Sequence, residues 1–162
     1  MSRPLGRFHC LVLVVVSLSL LGCRDDGLPK RAPVSGKVTY NGTPLAHATI
    51  NFYPEQSGER VSVGETDEKG EFTVWCYEKG DGAVLGKHKV GIRKEGPPKP
   101  TGVHPSQVAE GMDESWYEEM GQSFTRDPLI PSRYFSPDTS ELAVEVVAGR
   151  RNTFEFHLEG TP

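Results

Sequence analysis

Apolar and polar residues alternate along most of this chain, and the alternation divides it into short strands. Val34-Ser35-Gly36-Lys37-Val38-Thr39-Tyr40 has the two-residue period of a half-buried strand. Asn41-Gly42 follows, a hairpin signal because both residues accept positive φ, and Thr43-Pro44-Leu45 lengthens the loop. Residues 46–53 alternate again with Ala48, Ile50 and Phe52 on one side, and Pro54 stops them. Residues 61–66 predict a short strand in which Val61, Val63 and Glu65 share a face. Thr66-Asp67-Glu68-Lys69-Gly70 reads as a tight turn into a strand over 71–77, with Phe72, Val74 and Cys76 inward. Residues 86–94 place His88, Val90 and Ile92 on one face and cations on the other. Leu142, Val144 and Val146 mark a sixth strand. After the turn at Gly149-Arg150, residues 152–158 close the pattern with Phe154, Phe156 and Leu158 inward.

About seven strands are separated by turn signals, and their loops leave no room for crossover helices. The pattern predicts an all-β fold, an antiparallel seven-stranded β-sandwich. The period breaks at 95–130, which reads as a loop insertion. Within it Val108, Met112, Trp116 and Met120 fall at four-residue steps, the spacing of a short amphipathic helix over 106–120 that Ser106 can cap and Gly111 weakens.

The first residues obey a different pattern. Arg3 and Arg7 precede a charge-free apolar run over 11–21, then Gly22 and Cys23. The run suits a signal peptide and falls short of the roughly 20 apolar residues of a bilayer span. Leu20-Leu21-Gly22-Cys23 resembles the lipobox of bacterial lipoproteins, although Leu21 is bulkier than usual there. The resemblance implies cleavage after residue 22 and a diacylglycerol thioether on Cys23, which becomes the acylated N-terminus. One acyl chain gives only marginal affinity, K on the order of 10⁴ M⁻¹, and a second makes the anchor stable. The chain is then exported and tied to the cell-envelope membrane. Arg24, rather than an aspartate, follows Cys23, which points to the outer membrane rather than the inner one. Residues 23–33 read as a tether and 34–160 as the domain.

Composition agrees with one small β domain: 18 Gly, 13 Pro and 36% hydrophobic residues. The net charge is −4 and no Lys/Arg stripe forms, so nucleic acid is not an expected partner. Cys10 leaves with the leader and Cys23 is lipidated, so Cys76 stands alone. Between a nucleophile and a buried small hydrophobe, its place in Phe72-Thr73-Val74-Trp75-Cys76-Tyr77 favours the latter.

The order of motifs is familiar. Val34-Ser35-Gly36-Lys37-Val38, Asn41-Gly42-Thr43-Pro44-Leu45, Ala48-Thr49-Ile50-Asn51-Phe52, Thr66-Asp67-Glu68-Lys69-Gly70-Glu71-Phe72 and Gly86-Lys87-His88-Lys89-Val90 together resemble the carboxypeptidase regulatory-like domain, a transthyretin-like β-sandwich. Ile130-Pro131-Ser132-Arg133-Tyr134, Thr139-Ser140-Glu141-Leu142 and Asn152 look like the C-terminal half of exported bacterial lipoproteins of this sort. His88 stands where that family usually carries tyrosine, and a core role is expected for it. The hydrolase of this fold that acts on 5-hydroxyisourate ends in Tyr-Arg-Gly-Ser. Here Leu158-Glu159-Gly160-Thr161-Pro162 stands instead, so that activity is not expected.

Candidate chemistry is sparse. The histidines lack metal-ligand spacing and no Cys-x-x-Cys exists. Asp67-Glu68-Lys69-Gly70-Glu71 lacks the alternating oxygen ligands of a calcium loop. No catalytic, cofactor or metal site is expected, and the chain reads as not an enzyme. Asp113, Trp116, Tyr117 and Glu118 form either a solvated helix face or a patch for a partner or carbohydrate, since a ring beside carboxylates can hold a sugar or a cation. Lys37 and Asn152 are the conceivable ends of a self-formed isopeptide bond, with no catalytic acid to name. The expectation is a membrane-anchored envelope lipoprotein whose sandwich meets an envelope protein or a glycan, with a carbohydrate- or small-ligand-binding module as the alternative.

Overall fold

The computed structural model describes residues 27–101 and 123–162. The leader, Cys23, the helix expected at 106–120 and the candidate patch Asp113, Trp116, Tyr117 and Glu118 lie outside the described residues.

The strands are β1 Arg31–Ala32, β2 Val34–Tyr40, β3 Thr43–Pro44, β4 Thr49–Pro54, β5 Ser62–Thr66, β6 Glu71–Trp75, β7 Ala83–Val84, β8 Gly86–Arg93, β9 Lys99–Pro100, β10 Phe124–Thr125, β11 Ala143–Val146 and β12 Asn152–Leu158. A 3-10 helix spans Ser132–Phe135. The main sheet runs β11-β8-β4-β5-β6-β2-β12, with β3 folded back on β2 through the Asn41-Gly42 turn, where both residues take positive φ (47° and 80°). The fold is thus the expected all-β sandwich, and the seven strands of the path are those the alternation predicts. One pairing differs from the antiparallel expectation: β12 lies parallel to β2, Asn152 opposite Val34 and Leu158 opposite Tyr40.

The sheet closes on itself to make the core. Phe52 on β4 and Phe156 on β12 are separated by three strands along the hydrogen-bonded path, which in a flat sheet would put them roughly 19 Å apart. Their ring centroids lie 6.3 Å apart, edge to face, and Phe52 also meets Phe72 at 6.4 Å and Phe154 at 6.2 Å. The curl therefore wraps the sheet around Phe52, which is fully buried with Val38, Ala48, Ile50, Val90 and Ile92. Burying side chains of this size contributes about 1.5–3 kcal/mol each.

β5 corrects one expectation. Its inward residues are Ser62, Gly64 and Thr66; Glu65 is exposed and Val61 and Val63 are only half-buried. The register explains the reversal: Ser62 opposes Phe52, Gly64 lies between Ile50 and Val74, and Thr66 opposes Phe72. Small residues on β5 leave the volume that the large ones of β4 and β6 fill. Thr66 is kept in by its Oγ1, which accepts the Ala48 N–H at 2.8 Å.

Arg31 and Ala32, part of the proline-rich tether by composition, pair with β7 and pack onto the sandwich. The 95–130 insertion leaves and returns through a short ladder: Glu95 bridges Pro128, and β9 pairs with β10. The two ends of the sandwich are therefore distinct. β2, β12, β5 and β8 start at the end where the chain enters. The turn Asp67–Gly70, the Asn41-Gly42 hairpin and the insertion stem all lie at the opposite end.

Candidate functional site

Side chains that alternate away from the core form the outer face of β12, β2, β6 and β5. The register sets Thr153, Ser35, Thr73 and Glu65 side by side in one row and Glu155, Lys37 and Glu71 in the next. With Asp67 they line a shallow trough of 580 Å³. Four carboxylates and a single ammonium, that of Lys37, line this trough. Asp67 is shaped by its turn: Oδ1 accepts the N–H of Lys69 at 2.8 Å and of Glu71 at 2.9 Å. The Glu71 N–H is the main reason its pKa lies below the usual carboxylate range. The Lys69 N–H and the charges of Lys69 and Lys37 add to this, against a smaller desolvation effect.

His47 stands beyond this trough at positive φ (51°), its Nε2 2.9 Å from Glu68 Oε1 and its Nδ1 3.6 Å from Glu65 Oε1. The histidine and both acids are more than 60% exposed, so solvent screens the cluster. On the next rung His157 Nδ1 meets Thr39 Oγ1 at 2.9 Å. Among the described residues no group of three or more His, Cys, Asp or Glu is placed to hold a metal ion. Hydroxyls and carboxylates give the trough chiefly hydrogen-bond acceptors, which suit ligands rich in ammonium, guanidinium or hydroxyl groups. Its one aromatic lining residue, Phe72, is 4% exposed, so no ring is offered for a sugar to stack on.

The residues singled out by sequence fare differently. Cys76 is buried, its Sγ 3.7 Å from the Arg60 carbonyl, as a packing residue would be. His88 is fully buried and edge-on to Phe52 at 6.0 Å; its Nδ1–H donates to the Gly86 carbonyl at 3.0 Å, while Nε2 has no hydrogen-bond partner. It is a core residue, though only half satisfied. Burial pushes its pKa below the usual imidazole range, against the weaker opposing pull of the Gly86 carbonyl and the Glu55 charge. Lys37 and Asn152 cannot join: Lys37 opposes Glu155, three residues along β12, roughly 10 Å from Asn152 at strand rise, and the two sit on opposite faces. Reasoning from sequence did not single out Glu65, Glu71 or Glu155 as site residues. The signal lay in the polar half of each alternation, which becomes a surface only once the register is known.

The entry end carries a second constellation. Asp81 accepts the N–H groups of Cys76, Tyr77 and Glu78 at 2.7, 3.0 and 3.1 Å, and pairs with Arg31 Nε at 3.0 Å. Burial pushes its carboxyl up, but the three amides and the Arg31 charge outweigh this and hold it below the usual range. Arg31 and Arg60 both lie over the Tyr77 ring, at 5.0 and 5.4 Å. Asn152 ties two further segments together. Its N–H donates to the Pro33 carbonyl, its Oδ1 accepts the Val147 N–H, and its Nδ2 donates to the Val147 and Arg150 carbonyls.

Fold and site define an all-β sandwich domain with a polar outer trough. No protein-family model matches the chain, and no curated protein matches it. Among solved structures it is similar to a 9R-lipoxygenase from Cyanothece PCC8801 (10% identity, 80% of this chain and 16% of that one, TM-score 0.38). A DUF3823 family protein from Parabacteroides merdae ATCC 43184 is similar at 14% identity over 83% of this chain and 47% of that one (TM-score 0.38). A third is the dioxygenase domain of a dioxygenase carbohydrate-binding protein fusion from Streptomyces sp. SirexAA-E, at 17% identity over 85% and 84% (TM-score 0.34). The chain thus spans about a sixth of the lipoxygenase and under half of the DUF3823 protein. These likenesses correct the expectation that the chain is not an enzyme: its neighbours include a lipoxygenase and a dioxygenase domain. At TM-scores of 0.34–0.38 they assign no activity either.

Proposed function

We propose that this chain is an exported envelope lipoprotein, anchored through Cys23, whose sandwich is a binding domain held at the membrane surface. The observation that carries the reading is topological. Chain entry and the insertion stem lie at opposite ends of the sandwich, so an anchor at Cys23 leaves the stem pointing away from the bilayer and the trough on the flank between them. The domain proper resembles the carboxypeptidase regulatory-like sandwich in motif order. The trough's carboxylates, with Lys37 among them, favour a polar, cation-bearing partner such as an envelope protein segment. A glycan is the second reading, supported by the hydroxyl row Thr153-Ser35-Thr73 and weakened by the lack of a stacking ring.

Cys23→Ala tests the anchor. The expected result is loss of acyl labelling and transfer of the intact domain from the membrane to the soluble fraction. Labelling that persists in Cys23→Ala would sink the assignment.

A further inference from the structure

The entry end has surface features that the trough does not explain. Turn 147–151 is exposed throughout and carries Val147, Ala148, Arg150 and Arg151 without an acid. Neither arginine has an ion-pair partner among the described residues. Asn152 fixes this turn beside the entering chain by bonding Pro33, Val147 and Arg150 at once. Lys30 and Lys79, both exposed, belong to the same end. Two of the three exposed large apolar side chains among the described residues also fall here: Leu28 (38%) and Val147 (39%). The acids of this end are Glu55, Glu59 and Glu78 on the neighbouring loops and Glu145, exposed on β11 opposite Lys87, while Asp81 is already paired with Arg31.

Resting on the anchor reading above, we propose that this end docks on anionic phospholipid headgroups, with turn 147–151 as the contact. Lys30 is tied to the sandwich by its carbonyl, which accepts the Leu85 N–H at 3.0 Å. Lys30 is seven residues from Cys23, so the extended chain holds this end within roughly 25 Å of the acyl chains. Cations brought that near an anionic surface are attracted to it, and apolar side chains among them enter the headgroup boundary. The acyl chains supply the membrane affinity; the turn sets the domain's orientation, with the insertion stem outward and the trough on the flank.

The test uses the full chain, made with its leader and reconstituted into vesicles of phosphatidylcholine with one-third phosphatidylglycerol, or of phosphatidylcholine alone. Val147→Trp reports contact by quenching from brominated lipid, and Lys69→Trp on the far turn is the control, each read against the parent chain's own tryptophan signal. The expected result is at least about twofold quenching of Val147→Trp over Lys69→Trp in anionic vesicles. That contrast should shrink in neutral vesicles and on adding Arg150→Glu with Arg151→Glu. Hydrogen exchange in the unaltered chain should slow at 147–151 in anionic vesicles. Equal quenching at both ends, or quenching indifferent to lipid charge and to the two reversals, overturns the docking. Flotation and the acylated mass read the anchor separately: a chain that floats with its acyl mass but shows no contrast keeps the anchor and loses the docking. A chain with neither acyl mass nor flotation loses both.

Discussion

The two ends of the sandwich are closed by different means. At the entry end Arg31, Asp81 and Asn152 are largely buried, and Asp81 and Asn152 each bond their own turn and one distant segment, Arg31 and Pro33 respectively. At the far end the polar closures are exposed: Asp67 caps its own turn, Asn41-Gly42 turns β2 into β3 while the Asn41 side chain bonds Gly160, and His47 meets Glu68 in solvent. Topology accounts for the difference. At the far end β2–β3 and β5–β6 are joined as hairpins, for which turn chemistry suffices, and the ties added to Gly160 stay in solvent. At the entry end the parallel β2–β12 pair and β1–β7 unite segments that no hairpin connects, and buried polar groups supply the ties.

The largest expected effect tests that claim directly. Asp81→Ala removes the acceptor of three amides and the carboxylate that pairs with Arg31, which is 15% exposed. Breaking such a pair costs on the order of 3 kcal/mol, on the order of 10 °C in Tm. The sign with pH follows from its lowered carboxyl. The stabilisation is present above the unfolded value, about 3.9, and is lost as pH falls through the lower folded one. A thermal melt at neutral pH with a loss under about 1 kcal/mol would remove Asp81 as a tie, since that is what one exposed pair contributes.

At the far end backbone fit should matter more than charge. Gly70 has φ +75°, and a Cβ there would lie 2.5 Å from the Val38 carbonyl oxygen. Gly70→Ala is therefore expected to cost about 2 kcal/mol, from a strained backbone and a forced shift of β2. His47→Gln, at an exposed pair, should stay within about 0.5 kcal/mol in the same denaturant titration. If the order of these two is reversed, exposed polar contacts rather than backbone geometry hold this end.

Much of this contrast is legible in the sequence, though unevenly. The seven strands of the path and the turns at Asn41-Gly42 and Asp67–Gly70 follow from alternation and turn chemistry, which are local properties. β5 was read out of phase because its inward side is Ser62, Gly64 and Thr66, small residues dictated by neighbours on β4 and β6. The parallel β12 and the ties Asp81–Arg31 and Asn152–Pro33 depend on pairings between distant segments, which no window of sequence displays. The trough was hidden for the same reason: Lys37 among Glu71 and Glu155 exists only in the register.

His88 offers a smaller and sharper test of what buried polarity does near the entry end. It sits two residues into β8, bonded back to Gly86, with Nε2 unpartnered in the core. In the unfolded chain a histidine takes up a proton near pH 6.5. In the fold, burial keeps His88 neutral to lower pH. The unfolded chain therefore binds more protons below that point, and stability falls as pH drops from about 7.5 to 5.5, with a slope of at most about 1.4 kcal/mol per pH unit from this residue. His88→Phe keeps the edge contact with Phe52 and removes the titrating group. Its Tm should vary less over that range than the parent's, even if its Tm at neutral pH is no higher. An unchanged pH slope in His88→Phe would move the acid sensitivity to another group.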